Sequence, residues 1–215
     1  MNIVIIPGFM GHPQEVTFQE LGETLESKGH QVEKIAWPHF PDNPARYSFS
    51  ETIAHTRTVI AGLGGNDLVL LGFSMGGIIA TLLAAEFKPA KLGLAVAPYQ
   101  AGSEDDLAGK YKEWQDTGYR DVTSSRFGKM TVPFSFIQDA RQYNALDYIQ
   151  KVRCPVLFVV GEADDKVPPA ASRRLFDAAN EPKAWRQIPG MQHKYQYQPE
   201  MLPVVNGIIA EFVDQ

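Results

Sequence analysis

The stretch Leu70-Leu71-Gly72-Phe73-Ser74-Met75-Gly76-Gly77-Ile78 governs how the rest of this chain is read. It opens on the end of a short apolar run with strand character and closes on the start of a longer apolar run with helical character. Between the two stands G-x-S-x-G, a serine with a glycine two residues away on each side. A serine at so sharp a strand-to-helix turn has a strained backbone, and its hydroxyl is lifted clear of the sheet. The flanking glycines let neighbouring segments close in without Cβ collisions. The helix that follows offers free N–H groups and a positive dipole end to developing negative charge. With Gly near 7% of residues, the pattern alone arises by chance in a chain this long with odds on the order of one in twenty. Its placement between strand and helix makes Ser74 a candidate nucleophile, the bland alternative being a structural glycine turn.

Short, β-branched runs alternate with helical patterns on both sides of this turn. Strands are expected at Ile3–Ile6, Val32–Trp37, Asp67–Leu71, Leu92–Ala97 and Val156–Val160, with a weaker one at Ala184–Ile188. Phe18, Leu21 and Leu25 recur at helical spacing before Gly29. Ser50–Leu63 reads as a helix entered by a serine cap and left through Gly62, Gly64 and Gly65. Ile78–Phe87 is apolar nearly all round, as a buried helix would be. Pro168–Ala179 and Pro199–Val213 supply two more, with Pro203 early in the last. Such alternation predicts an α/β domain: a mostly parallel sheet of about six strands with helices on both faces.

From Pro98 to about Arg153 the rhythm breaks. No clean strand–helix unit is legible there, only polar loops such as Gly102-Ser103-Glu104-Asp105-Asp106 and scattered aromatics from Tyr99 to Tyr148. The excursion leaves the sheet at the carboxyl end of a strand, where open α/β sheets bind ligands. It is expected to form a lid or pocket wall, against the alternative of a helical decoration packed on its own core. The whole chain, residues 1–215, reads as one domain carrying this insertion at about 98–153.

Composition sets the outer bounds. The chain has 215 residues, 44% hydrophobic and 21% charged, an ordinary globular balance that excludes disorder and low-complexity fibre. Twenty Lys and Arg against 25 Asp and Glu give a formal charge of -5, with no general attraction for nucleic acid or anionic membranes. Cys154 is the single cysteine, which rules out an intrachain disulfide and a four-cysteine zinc site. Met1–Ile6 has no basic leader and is stopped by Pro7-Gly8, and no apolar stretch approaches a membrane span. A cytoplasmic protein acting on a small molecule, without nucleic-acid or membrane partners, is the expectation; oligomeric state is not legible.

Serine is a weak nucleophile until a base takes its proton, and the base needs a third group to orient it. Of five histidines, His30, His39 and His55 stand in segments without a signature and read as surface or packing residues. His12 borders the loop after the first strand. His193 follows the last strand through Pro189-Gly190-Met191-Gln192 and is the candidate base, a solvated loop histidine being its alternative. Val156–Val160 runs into Gly161-Glu162-Ala163-Asp164-Asp165, where Asp164 is the chosen acid with Asp165 and Glu162 as competitors. Oxyanion donors are expected from the backbone N–H of Met75, at the helix start, and of Phe9, in the loop after the first strand.

With these parts placed, the chain resembles the α/β-hydrolase superfamily over essentially its whole length, which shares the chain order Ser, Asp, His. Within it, the chain is most similar to small bacterial cinnamoyl/feruloyl-type carboxylesterases. Gly8-Phe9-Met10-Gly11-His12 resembles their oxyanion loop, Ser74-Met75-Gly76-Gly77 their elbow, Pro155 through Pro168 their acid loop and Ile188 through Tyr195 their histidine loop. Two features depart from that pattern: the usual leading antiparallel strands are missing, and Pro7 stands where a His commonly precedes the oxyanion glycine. The resemblance implies an α/β-hydrolase fold and a serine esterase acting on short acyl or arylacyl esters, without metal or organic cofactor. The same triad also serves thioesters and amides, and a non-catalytic α/β-hydrolase-like binding protein is the reading from another class.

Overall fold

The computed structural model describes residues 1–63, 67–102, 110–124 and 126–215. Its main sheet has six strands: β1 (Asn2–Ile6), β2 (Gln31–Lys34), β3 (Leu68–Phe73), β4 (Lys91–Ala95), β7 (Val156–Gly161) and β8 (Lys183–Ile188). They lie in the order β2-β1-β3-β4-β7-β8, and every neighbouring pair is parallel. The expected α/β class and strand count therefore hold. Because parallel strands point one way, the loops that follow them gather at a single edge, and the candidate residues lie there.

Side chains leave the central strands alternately, so both faces need cover. Val4 and Ile6, Leu68 and Leu70, and Val156, Phe158 and Val160 enter one buried cluster. It is completed by α2 (Phe49–Leu63), α3 (Met75–Phe87) and α7 (Pro169–Ala178). Ile3 and Ile5, Val69 and Leu71, and Leu157 and Val159 enter a second cluster under α1 (Val16–Glu26) and α8 (Met201–Asp214). Each such side chain contributes roughly 1.5–3 kcal/mol of transfer free energy when fully buried.

Several boundaries move from their expected places. Strand β2 stops at Lys34, although Ile35 still donates its N–H to Ile5 O at 2.9 Å, and Ile35 and Trp37 follow as loop residues buried in the first core cluster. Strand β4 ends at Ala95, where Val96 turns to a φ of 46°. Helix α2 takes its cap from the Ser48 hydroxyl, which accepts the Glu51 N–H at 3.2 Å, and not from Ser50. Gly64 and Gly65 lie outside the described residues, as do 103–109 of the polar loop.

The excursion between β4 and β7 has more structure than its sequence suggested. It holds α4 (Lys110–Thr117), an antiparallel hairpin of β5 (Tyr119–Ser124) and β6 (Gly128–Pro133), α5 (Ser135–Ala140) and α6 (Leu146–Ile149). The hairpin escaped the sequence reading because β5 is polar on both faces, alternating only between exposed and half-buried. Its Trp114, Phe134 and Phe136 join the first core cluster rather than a separate one.

Candidate active site

Ser74 sits between β3 and α3 with φ 51° and ψ −126°, a region that non-glycine residues rarely occupy. Such a conformation costs on the order of 1–3 kcal/mol and persists only where the surroundings impose it. Two contacts impose it here. The Ser74 N–H donates to Ala95 O at 2.9 Å, tying the turn to β4. Helix α3 then starts so close to β1 that a Cβ on Gly76 would lie 2.2 Å from Ile6 O and 2.5 Å from Pro7 O. The result is a partly exposed hydroxyl above the sheet edge.

His193 reaches it from the loop after β8. Its Nε2 is 3.0 Å from Ser74 Oγ, and its Nδ1 is 2.9 Å from Asp164 Oδ2. Asp164 is fully buried at its side chain. Its other oxygen accepts the N–H groups of Lys166, at 2.9 Å, and Val167, at 2.8 Å. A carboxylate accepting from Nδ1–H leaves Nε2 as the acceptor for the serine proton. Thus a hydroxyl, an imidazole and a carboxylate form one hydrogen-bonded chain.

The competitors have other partners. Asp165 faces outward, with Lys166 Nζ 2.6 Å from its carboxylate. Glu162 accepts the Gly190 N–H at 3.1 Å and so braces the loop that carries His193. His12 lies edge-on to Phe127 with ring centroids 5.0 Å apart, and burial followed by the nearby Arg126 charge lowers its pKa. His30 pairs with Asp214 and His39 with Glu51, both away from Ser74.

The loop after β1 closes over the serine. A Cβ on Gly8 would stand 2.8 Å from Ser74 Cβ, so only glycine lets this backbone approach. Met75 is the first residue of α3, and its N–H has no helical acceptor. Neither it nor the Phe9 N–H finds another acceptor among the described residues. Sequence reasoning missed what holds this loop. Trp37 Nε1 donates to Pro7 O at 2.9 Å, and the Met10 N–H donates to the Tyr47 hydroxyl at 3.1 Å. No local pattern marks either aromatic, since each acts across 30 residues or more.

A cavity of about 400 Å³ opens beside Ser74 and His193, walled by Phe9, Met75, Trp114 and the hairpin residues Arg120 and Val122. A smaller one of about 100 Å³ lies on the other side of the same two residues, against Phe18, Phe73 and Val96. Among the described residues no group of three or more His, Cys, Asp or Glu side chains is arranged to hold a metal ion.

The model of the family described as serine hydrolase (FSH1) matches residues 2–193, nearly the entire chain. The chain belongs to this family. A curated relative, the mitochondrial palmitoyl-protein thioesterase ABHD10 of Mus musculus, is 24% identical over 197 residues, covering 82% of this chain and 63% of its own length. An uncharacterized protein of Mycobacterium tuberculosis is 27% identical over 189 residues, covering 85% of this chain and 59% of its own length. The chain thus spans about three fifths of these relatives. In fold it is similar to Est1E of Butyrivibrio proteoclasticus, solved with ferulic acid, at a TM-score of 0.79 and 21% identity, with 98% and 87% of the two chains covered. A monoacylglycerol lipase of Paleococcus ferrophilus aligns with a TM-score of 0.78 and 20% identity, covering 99% and 93%. The chain therefore has the α/β-hydrolase fold and belongs to a family of serine hydrolases.

Proposed function

We propose that this serine hydrolase cleaves carboxylic esters through an acyl-enzyme formed on Ser74. The observation that carries the reading is the chain of hydrogen bonds from Ser74 through His193 to Asp164 at the mouth of the larger cavity. Ser74 Oγ attacks the ester carbonyl while His193 Nε2 takes its proton, and Asp164 orients the ring and stabilises the imidazolium. The oxyanion accepts the N–H groups of Phe9 and Met75, each such donor contributing ~2.7–4 kcal/mol to the transition state. His193 passes its proton to the departing alcohol, then activates a water that hydrolyses the acyl-enzyme. The excursion over residues 98–153 acts as the cavity's lid, and its aromatic wall suits a short acyl or arylacyl group. Thioester cleavage is the second reading, favoured by the thioesterase name of the ABHD10 relative.

A fluorophosphonate probe is expected to label the wild-type protein at Ser74 and to leave Ser74→Ala unlabelled. Turnover of 4-nitrophenyl esters should fall by roughly 10⁴–10⁶-fold in the same variant. Labelling that survives the substitution excludes Ser74 as nucleophile. Parallel rates on oxoesters and acyl-CoA thioesters of equal chain length decide between the two leaving groups.

A further inference from the structure

The larger cavity carries a positive charge that forms no ion pair among the described residues. Arg120 projects from β5 into its wall, and its guanidinium lies 5.8 Å from the Trp114 ring centroid. Trp114 is itself fixed, with its Nε1 donating to Val132 O at 3.0 Å, and Arg120 pairs in the hairpin with that same Val132. The ring attracts the guanidinium at this distance, and a planar guanidinium so placed can fork its N–H groups onto an oxyanion. Among the described residues Arg120 has no acidic partner.

The other charged groups facing this space do not cancel it. Asp121 is held by Lys129, at 2.8 Å, and by the Thr131 hydroxyl, at 2.7 Å. Lys166 is bound to Asp165. Glu15 and Lys194 also line the cavity and interact through their charges, and burial raises the Glu15 pKa. Arg126 is engaged with Gln14. In a protein of net charge -5, a cation on a cavity wall with no acidic partner among the described residues favours an anionic ligand.

We infer that Arg120 reads a carboxylate on the half of the substrate that fills the larger cavity, so that the preferred esters are acid-bearing ones. Resting on the esterase reading above, this names the substrate class of the same site. A carboxylate accepts two parallel N–H bonds from a guanidinium, and a neutral end of the same shape does not.

Two matched series test it. Mono-4-nitrophenyl half-esters of six- to eight-carbon diacids are compared with the corresponding methyl diesters, and 4-acetoxybenzoate is compared with 4-acetoxybenzamide. In at least one series kcat/KM should favour the anion, and Arg120→Gln should lower that preference roughly 10- to 100-fold while leaving the neutral member within a few-fold. Arg120→Lys should retain part of it, added salt should weaken it, and Arg173→Gln on α7 should not alter it. Equal rates for both members of both series, or a preference untouched in Arg120→Gln, overturn the inference while the esterase reading stands. Calorimetry on Ser74→Ala with hexanedioate monomethyl ester and its dimethyl ester separates the two failures. Tighter binding of the anion, lost with Arg120→Gln, sustains the inference even where no ester is turned over; equal binding without turnover ends it.

Discussion

At Ser74 the backbone and the chemistry are one problem. Its left-handed φ is strained, yet that strain aims Oγ at His193 Nε2, 3.0 Å away. The two neighbouring carboxylates in the acid loop differ just as sharply. Asp164 is buried against His193 Nδ1 and two N–H groups, whereas Asp165 is exposed beside Lys166. Under the proposed mechanism Asp164→Asn leaves the imidazole in the wrong tautomer, and kcat should fall on the order of 10⁴-fold. Asp165→Asn should stay within a few-fold of wild type. Steady-state kinetics on one chromogenic ester, with circular dichroism to check folding, measures both.

Among the elements, the excursion is tied to the sheet domain at the start of α2. Asp139, on α5, accepts the Ser48 hydroxyl at 2.8 Å and the Ser50 N–H at 2.9 Å, and it also bonds the Ser50 hydroxyl, which meets Tyr143 OH at 2.8 Å. The carboxylate therefore caps a helix from another segment of the chain. Burial opposes its ionisation, but the Ser50 and Ser48 donors outweigh that and hold its pKa below the usual value. The sign follows from linkage: a depressed carboxyl adds stability above its unfolded pKa of ~3.9 and loses it as pH falls through the folded one. Asp139→Asn should cost about 1 kcal/mol at pH 7, near the value of a lost cap. Its deficit against wild type should shrink below about pH 4. Urea midpoints at pH 7, 5 and 3.5 test this; a deficit that is constant with pH contradicts it.

Across the whole molecule, one aromatic cluster joins the excursion to the loop over Ser74. Phe136 stacks on Tyr47 at 4.7 Å with rings 4° from parallel, and lies 5.0 Å from Phe9. Tyr47 in turn accepts the Met10 N–H, and Trp37, 6.0 Å from Phe136, holds Pro7 O. Phe136→Ala should cost ~3–5 kcal/mol as a core cavity. Because the cavity also loosens the loop bearing Phe9, kcat of the remaining folded enzyme should drop while KM moves less. Thermal unfolding with kinetics well below the midpoint separates the two effects. Unchanged kcat in folded protein breaks the proposed link.

Much of this arrangement is written locally. β-branched runs, helical spacing and the glycine turn at 72–76 are short-range signals, so the alternation of elements and the candidates Ser74, Asp164 and His193 could be named from the chain alone. The polar hairpin β5–β6 could not, because a strand without an apolar face looks like loop until a partner pairs with it. What faces His193, what holds the loop at Phe9 and what stands beneath Arg120 were settled only in three dimensions. Ser74 and His193 are 119 residues apart and Trp37 is 30 residues from Pro7. Periodicity says which side of an element is buried, but a contact between distant segments is chosen only when both faces of the sheet are packed.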